Sequence, residues 1–174
     1  SAIKRIGSVV GRMEVVKVSG QATAVVDYAH TPDALKSALE ALRPHCLGKM
    51  RVVFGCGGDR DTGKRSEMAA IAESMADDVI VTDDNPRYED PEKIVNDILA
   101  GFKSLKNVTV LHSRAEAISV ALGKSDDSDV VLVAGKGHET WQEIKGERTF
   151  FSDINEVNQN LNITEKSVEG SGSD

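Results

Sequence analysis

The sequence predicts an α/β domain with a doubly wound, mostly parallel, Rossmann-like sheet flanked by helices. Short runs rich in Val, Ile and Ala alternate with segments whose apolar residues recur every three or four positions, which is the spacing of a helix that buries one face. The short runs are almost continuously apolar, as expected of strands that are buried on both sides of a parallel sheet. Together the two patterns predict helices on each face of that sheet.

The individual elements follow from these patterns in chain order. Pro32 and Pro91 fall in the first turns of two helices, after Thr31 and Asp90, which we expect to be the N-caps. We expect the ordered domain to span 1–161 and the polar residues 162–174 to form a disordered tail. The predicted strands are 15–18, 24–28, 51–55, 78–82, 108–111, 130–134 and one near 149–151, and the predicted helices are 32–42, 67–76, 91–102, 115–122 and 153 to about 161.

Composition excludes several classes of function. A chain of 174 residues with a formal net charge of -7 and no block of basic residues predicts one domain that binds neither nucleic acid nor an anionic membrane. No run approaches the ~20 apolar residues of a membrane span. Cys46 and Cys56 lack the spacing of metal ligands, so we expect no metal site and a reducing, cytoplasmic location.

The segments that follow the predicted strands carry the candidate functional residues. In a sheet of this kind, ligands bind at the carboxyl ends of the strands. Four of the five segments combine charged or titratable residues with Gly or Pro, which predicts a ligand site where they meet. The segments are DYAHTPD (27–33), GCGGDRDTGKR (55–65), DDNPR (83–87), HSR (112–114) and GKGHE (135–139).

The segment 55–65 matches neither common nucleotide-binding motif. Residues 58–64 fit G-x-x-x-x-G-K, but Arg65 stands where a phosphate loop needs Ser or Thr. A dinucleotide fingerprint fails because Arg60 replaces its third glycine. We interpret the segment as a glycine turn that presents Arg60, Lys64 and Arg65 to a carboxylate or a single phosphate. A solvated charged loop is the alternative.

The segment 83–87 contains an arginine that a turn does not require. Asp, Asn and Pro close turns through their side chains and a fixed φ, so a turn and a helix cap remain an alternative for Asp84 and Asn85. A solvated side chain is the alternative for Arg87. However, its planar guanidinium can also bind a carboxylate through two parallel hydrogen bonds.

Taken together, in this order and spacing, the segments resemble the C-terminal domain of the Mur ligases of peptidoglycan synthesis. The resemblance covers about 11–161 and also includes GRME (11–14) and DYAHTPDAL (27–35). Its most specific part is DNPR (84–87), which resembles the motif by which members of that family recognise meso-diaminopimelate. This compound is a lysine-like amino acid with a second carboxylate and a second ammonium at its far end.

The resemblance implies a site for that amino acid. Asp84 and Glu139 would face an ammonium, and Arg87 and Arg60 would face a carboxylate. Lysine, which lacks the distal carboxylate, would leave Arg87 without an anion, at a cost on the order of 2–4 kcal/mol. The implied contacts are Arg60, Asp84, Asn85, Pro86, Arg87, Gly135 and Glu139.

The resemblance also implies one wall of an ATP site, formed by Arg12, Asp27, Tyr28 and His30. His30 precedes a predicted helix and serves equally well as a helix cap. We assign no catalytic role to any residue, including those of GKGHE. We expect structural roles for His45, His112 and Trp141, with Trp141 packed against the sheet.

The implied activity needs more than this chain. In the family, ATP and Mg2+ activate the carboxylate of UDP-MurNAc-L-Ala-D-Glu as an acyl phosphate, and the amine then displaces phosphate to leave an amide. A central domain with a G-T-x-G-K-[TS] loop transfers the phosphoryl group, and no such loop occurs here. We therefore expect the third domain of a ligase, inactive without its other domains. The alternatives are a stand-alone module that binds a small zwitterion or nucleotide, and a hydrolase that uses Asp83, Asp84 and His138.

Overall fold

The computed structural model describes residues 13–170. The predicted α/β class is confirmed, and each predicted strand begins and ends within one or two residues of its predicted position. A further strand, Trp141–Ile144, was not predicted. One turn of 3-10 helix, Arg43–His45, follows the first α-helix. In chain order the elements are β1 (Glu14–Lys17), β2 (Thr23–Asp27), α1 (Pro32–Leu42), β3 (Met50–Phe54), α2 (Gly63–Met75), β4 (Asp78–Val81), α3 (Pro91–Leu99), β5 (Val108–Val110), α4 (Arg114–Gly123), β6 (Val130–Ala134), β7 (Trp141–Ile144), β8 (Glu147–Phe150) and α5 (Asp153–Gly170).

The main sheet has six strands in the order β1-β2-β6-β3-β4-β5. The edge strand β1 is antiparallel to β2, whereas β2, β6, β3, β4 and β5 are parallel. The strands β3 and β6 are buried at all five of their positions, which explains the continuous apolar run of β6 and the run of β3 that only Arg51 interrupts. Residues of α1, α2 and α3 pack on one face of the sheet, and residues of α4 and α5 pack on the other.

The strand order brings together the four segments that follow β2, β3, β4 and β6, at the carboxyl ends of these strands. The chain leaves β2 through α1 and enters β3, and β6 later fills the place between these two strands. The strand order therefore reverses beside β6, and a crevice opens at such a switch point. Because the strands are parallel, the carboxyl ends of β2, β6, β3 and β4 all lie at this crevice.

The predicted helix caps Thr31 and Asp90 are confirmed, and the alternative that His30 caps α1 is excluded. The Thr31 side chain accepts a hydrogen bond from the backbone of Ala34 at 3.2 Å, and Asp90 accepts one from Glu92 at 3.0 Å. Thr31, rather than His30, is therefore the cap of α1. Among residues 13–170, no helix is long and apolar enough to cross a membrane.

The carboxyl-terminal part differs from the sequence prediction. Strands β7 and β8 form a separate two-stranded hairpin, closed by Lys145 and Gly146 at φ 51° and 79°, the conformation that hairpin turns favour. Trp141 lies in this hairpin, where Arg148 covers its ring at 4.8 Å; the prediction that it packs against the main sheet was wrong.

The last helix is longer than predicted. Helix α5 ends at Gly170 rather than near 161, because residues 162–169 contain neither Pro nor Gly to stop it. The predicted disordered tail, 162–174, therefore begins inside a helix, and residues 171–174 lie outside the described part of the chain. The division of the chain at 161 stays a prediction.

Candidate functional site

A cavity of about 470 Å³ opens at the switch point. Its lining comes from the segments after β2, β3, β4 and β6, while the HSR segment after β5 contributes no lining residue. Lys64 and Cys56 also line the cavity. The predicted ligand contacts found there are Arg60, Asp84, Asn85, Arg87, Gly135 and Glu139 on the amino-acid side, and Tyr28 and His30 on the nucleotide side.

Asp84 and Gly135 meet at the floor of the cavity. Gly135 has φ +121°, and a Cβ placed on it would lie 2.7 Å from Oδ2 of Asp84. A glycine is therefore required both by the backbone conformation and by the space that the carboxylate occupies. Asp84 is buried, with 11% of its side chain exposed, and its backbone carbonyl accepts a hydrogen bond from the Gln142 side chain at 2.8 Å.

Asn85 joins three segments of the site. Its Oδ1 accepts hydrogen bonds from the backbone N–H of Glu143 and from Nζ of Lys136, both at 2.9 Å. Its carbonyl accepts one from the backbone of Gly58 at 2.8 Å. The neighbouring Pro86 is buried and does not line the cavity; its carbonyl would lie 1.8 Å from a Cβ on Gly58. The two residues therefore hold the segments in place.

Arg87 is held by the β7–β8 hairpin. Its backbone has φ 54°, donates to the carbonyl of Glu143 at 3.0 Å and accepts from Lys145 at 2.7 Å. The guanidinium Nη1 donates to the carbonyl of Gly58 at 2.9 Å, and Nε lies 3.4 Å from the Glu143 carboxylate. Arg87 is therefore not a solvated arginine, and it has an anion before any ligand binds.

Arg65 does not face the cavity, and its predicted presentation to a ligand was wrong. The side chain is fully buried, with Nη1 2.6 Å from Glu89 and 2.9 Å from Asp97. Its Nη2 donates to the carbonyl of Gly57 at 3.0 Å. The hydrogen bonds from Arg65 lower the pKa of Glu89 to about 2. Arg65 therefore stabilises the glycine turn through its hydrogen bond to Gly57 and has a structural role.

The two other cations of that segment do reach the cavity. Arg60 is exposed and donates from Nη1 to the carbonyl of Asp59 at 3.2 Å. Lys64 donates from Nζ to the carbonyl of His30 at 2.9 Å, which joins the segment after β3 to the segment after β2. Both can therefore contribute positive charge to an anionic ligand.

A buried ion pair supports the same edge of the sheet and was not predicted. Arg114 and Asp153 are both fully buried and lie 2.7 Å apart. Arg114 also donates to the carbonyls of Ala134 at 3.1 Å and Asp83 at 3.3 Å. Burial opposes the charge of Arg114, but Asp153 outweighs it, so that the pKa of Arg114 is raised. The pair thereby ties together the ends of β6 and β4.

Of the four residues predicted to contact the nucleotide, Tyr28 and His30 line the cavity. The rings of Tyr28 and His30 lie 4.5 Å apart, edge to face, at the wall of the cavity. Asp27 does not line it: its Oδ2 accepts from the backbone of Ala29 at 2.8 Å, and its carbonyl accepts from Gly135 at 3.1 Å. Asp27 therefore shapes the segment that carries Tyr28. Arg12 lies outside the described residues.

Asp83 and His138, which the hydrolase alternative would use together, each contact a different residue. Asp83 lies 2.8 Å from Nδ1 of His112, whereas His138 lies 3.5 Å from Glu14. Burial raises the pKa of the Cys56 thiol in the cavity to about 12, so that it carries no nucleophilic thiolate at neutral pH. Among residues 13–161, whose side chains the structure describes, no group of three or more His, Cys, Asp or Glu side chains could hold a metal ion.

The chain is an α/β domain with a cavity at a switch point of its sheet, and charged side chains of both signs line that cavity. The family model described as "Mur ligase, glutamate ligase domain" matches residues 11–137. The chain therefore belongs to this family, and the resemblance seen in the sequence is confirmed.

The chain is similar to longer proteins that are described as ligases. Over 156 residues the chain is 52% identical to the UDP-N-acetylmuramoyl-L-alanyl-D-glutamate--2,6-diaminopimelate ligase of Vibrio vulnificus (strain YJ016), covering 90% of this chain and 32% of that protein. A solved structure of a ligase with the same description matches with a TM-score of 0.85 and 44% identity, covering 89% of this chain and 32% of the other. A folylpolyglutamate synthase from Thermotoga maritima matches with a TM-score of 0.53 and 26% identity, over 72% and 27% of the two chains. The chain thus spans about a third of the length of the ligases that it matches.

Proposed function

We propose that the chain is the amino-acid-binding domain of an ATP-dependent ligase that adds meso-diaminopimelate to UDP-MurNAc-L-Ala-D-Glu in peptidoglycan synthesis. Membership of the Mur ligase family and the 52% identity to a diaminopimelate ligase support the reaction. The observation that carries the choice of ligand is the pattern of charge in the cavity, where Arg60 and Arg87 accompany Asp84 and Glu139.

This pattern suits a ligand with carboxylates and ammonium groups at both ends. A guanidinium has five N–H donors in a fixed fork, and Gly58 and Glu143 engage two of those of Arg87. The remaining donors can bind the distal carboxylate of the ligand. Asp84 and Glu139 offer oxygens to an ammonium, and Glu139 is still 20% exposed at its side chain. Lysine has the ammonium groups but lacks the distal carboxylate.

The nucleotide would lie against the neighbouring wall. Tyr28, His30 and Lys64 supply an aromatic edge and a cation that fit an adenosine phosphate. Bound ATP, with Mg2+ held mainly by another domain, would supply the phosphoryl group that activates the carboxylate of the UDP-substrate. The residues of this chain would hold the amino acid and one side of the nucleotide. We infer that the chain needs the remaining ligase domains as partners and is inactive alone.

A titration of the isotope-labelled chain tests the proposal directly. Amide NMR spectra are recorded while meso-diaminopimelate is added, and a parallel series receives L-lysine. We expect diaminopimelate to shift the amide signals of residues 57–60, 84, 85, 87 and 135–139, and lysine to shift them only at much higher concentration. Equal responses to the two amino acids, or shifts confined to other parts of the chain, would refute the proposed ligand.

A further inference from the structure

Lys136 is completely buried immediately behind the cavity. It follows Gly135 at the end of β6, and its Nζ lies 2.9 Å from Oδ1 of Asn85. The same nitrogen lies 3.8 Å from a carboxylate oxygen of Asp84 and 3.5 Å from one of Glu139. All three partners line the cavity, whereas Lys136 does not.

A buried ammonium is costly unless its surroundings compensate for lost hydration. Burial lowers the pKa of Lys136 from its usual value, while the charge of Asp84 acts in the opposite direction. The compensating groups come from two segments, since Asp84 and Asn85 follow β4 and Glu139 follows β6. One cation thus holds together acceptors that are far apart in the sequence, and it separates two carboxylates that would otherwise repel each other.

We propose that Lys136 is a positioning residue for amino-acid recognition: it fixes Asn85, and it holds Asp84 and Glu139 in the arrangement that receives the ammonium of the ligand. The inference rests on the proposed function, because it takes the cavity to be the amino-acid site. Lys136 itself touches neither the ligand nor the reacting atoms. It acts only through the three residues that it holds.

The test compares two buried cations of the same fold. Lys136→Met removes the charge and keeps an unbranched side chain that is one atom shorter. Lys136→Gln keeps a donor for Asn85 without the charge. The matched control is Arg51→Met. Arg51 is 7% exposed and pairs with Asp129 at 2.8 Å and Asp78 at 3.1 Å. This ion-pair cluster lies where β3 and β4 begin, at the ends of the strands opposite to the cavity.

Calorimetric titration with meso-diaminopimelate gives the affinity of each variant, and thermal melting gives its stability. We expect both Lys136 variants to bind roughly 10- to 100-fold more weakly than the wild type, and Arg51→Met to bind within about twofold of it despite a lower Tm. The ligand-free spectrum provides a second readout: the Glu143 amide, which donates to Asn85, shifts in the Lys136 variants and stays in place in Arg51→Met.

The outcomes separate this inference from the proposed function. If the wild type binds diaminopimelate and both Lys136 variants bind it equally well, the positioning role is wrong while the proposed function stands. If Arg51→Met weakens binding as much as Lys136→Met does, the effect is one of general stability and the positioning role is again wrong. If the wild type does not bind diaminopimelate, the proposed function fails and this inference fails with it.

Discussion

The Nε of Arg87 lies 3.4 Å from the carboxylate of Glu143, so the arginine of the DNPR segment is ion-paired in the absence of ligand. This relationship corrects an expectation from the sequence, in which lysine would leave Arg87 without an anion at a cost on the order of 2–4 kcal/mol. Because Glu143 remains as a partner, the discrimination against lysine should fall towards the lower end of that range. Glu143 also orients the guanidinium. Because Gly58 accepts one N–H of Nη1, the second N–H of Nη1 and both of Nη2 can bind a carboxylate.

The close approach of Gly135 and Asp84 predicts that Gly135→Ala removes amino-acid binding. The new Cβ would lie 2.7 Å from Oδ2 of Asp84 at a φ of +121°, so the carboxylate must move and the backbone is strained. We expect at least a tenfold loss of affinity for diaminopimelate by calorimetry, with a lower Tm. Gly123→Ala is the control, because its Cβ meets nothing within 4 Å; wild-type affinity in Gly135→Ala would contradict the proposed floor of the site.

The buried pair Arg114–Asp153 predicts a large stability effect. Asp153→Ala leaves a fully buried guanidinium without its carboxylate, which costs roughly 3–5 kcal/mol. The double variant Arg114→Met/Asp153→Leu removes both charges and should recover most of that loss. Denaturant unfolding gives the free energy of unfolding of each protein, and a double variant no more stable than Asp153→Ala would show that the effect is packing rather than charge.

Glu89 predicts an acid-dependent loss of stability. Its pKa is about 2 in the folded chain and near the ordinary 4.5 in the unfolded chain, so the unfolded state binds the proton more tightly. The stabilisation is therefore complete above about pH 4.5 and is lost as the pH falls towards 2. It amounts to roughly 2–3 kcal/mol.

Glu89→Gln tests this dependence. The variant should be less stable than the wild type at pH 7, and the difference should shrink as the pH falls from about 4.5 towards 2. Unfolding by urea at several pH values measures it. The control is Glu40→Gln, an exposed residue 4.0 Å from Lys36, which should change little at any pH. A difference that is constant across this range would refute the assignment to the Arg65–Glu89 pair.

We propose that this chain holds the amino acid and one side of the nucleotide but needs the other ligase domains for the reaction. We therefore expect that the chain alone has no ATPase activity. Arg65 stands where a phosphate loop needs Ser or Thr, and its side chain is buried among Glu89 and Asp97. Release of phosphate from ATP is measured with Mg2+, with and without diaminopimelate. Sustained turnover that follows the protein through purification would mean that the chain holds a complete phosphoryl-transfer site.

The sequence predicted those parts of the fold that depend on local patterns. Apolar runs locate β3 and β6 because both are buried along their whole length, and strand ends locate the segments that line the cavity. The burial of Arg65 and Arg114 was not predicted although a signal existed. Arg65 shares a helical stripe with Met68, Ala69 and Ala72, and Arg114 shares one with Ala117 and Ile118, so each lies on a buried face.

Other parts of the site could not be predicted in this way. The partners of the buried arginines are 24, 32 and 39 residues away, and no local pattern indicates which acid meets which cation. The pairing of Arg87 with Glu143 depends on the β7–β8 hairpin, whose strands are short and rich in charge and so show no clear alternation. The sequence analysis gave Lys136 no catalytic role and did not predict its contacts, since its partner Asn85 is 51 residues away and comes near it only where β4 and β6 end.

The preference for diaminopimelate over lysine, measured by calorimetry on the wild type and on Arg87→Ala, tests the central claim most directly. The wild type should prefer diaminopimelate by roughly 10- to 100-fold, and Arg87→Ala should lose at least about tenfold of that preference, because a charge-assisted pair is removed. Arg87→Lys should restore little of it, since an ammonium cannot reproduce the planar fork, and Arg43→Ala, an exposed arginine that pairs with Asp77, should keep it. An unchanged preference in Arg87→Ala would contradict the role assigned to this arginine and to the cavity that it lines.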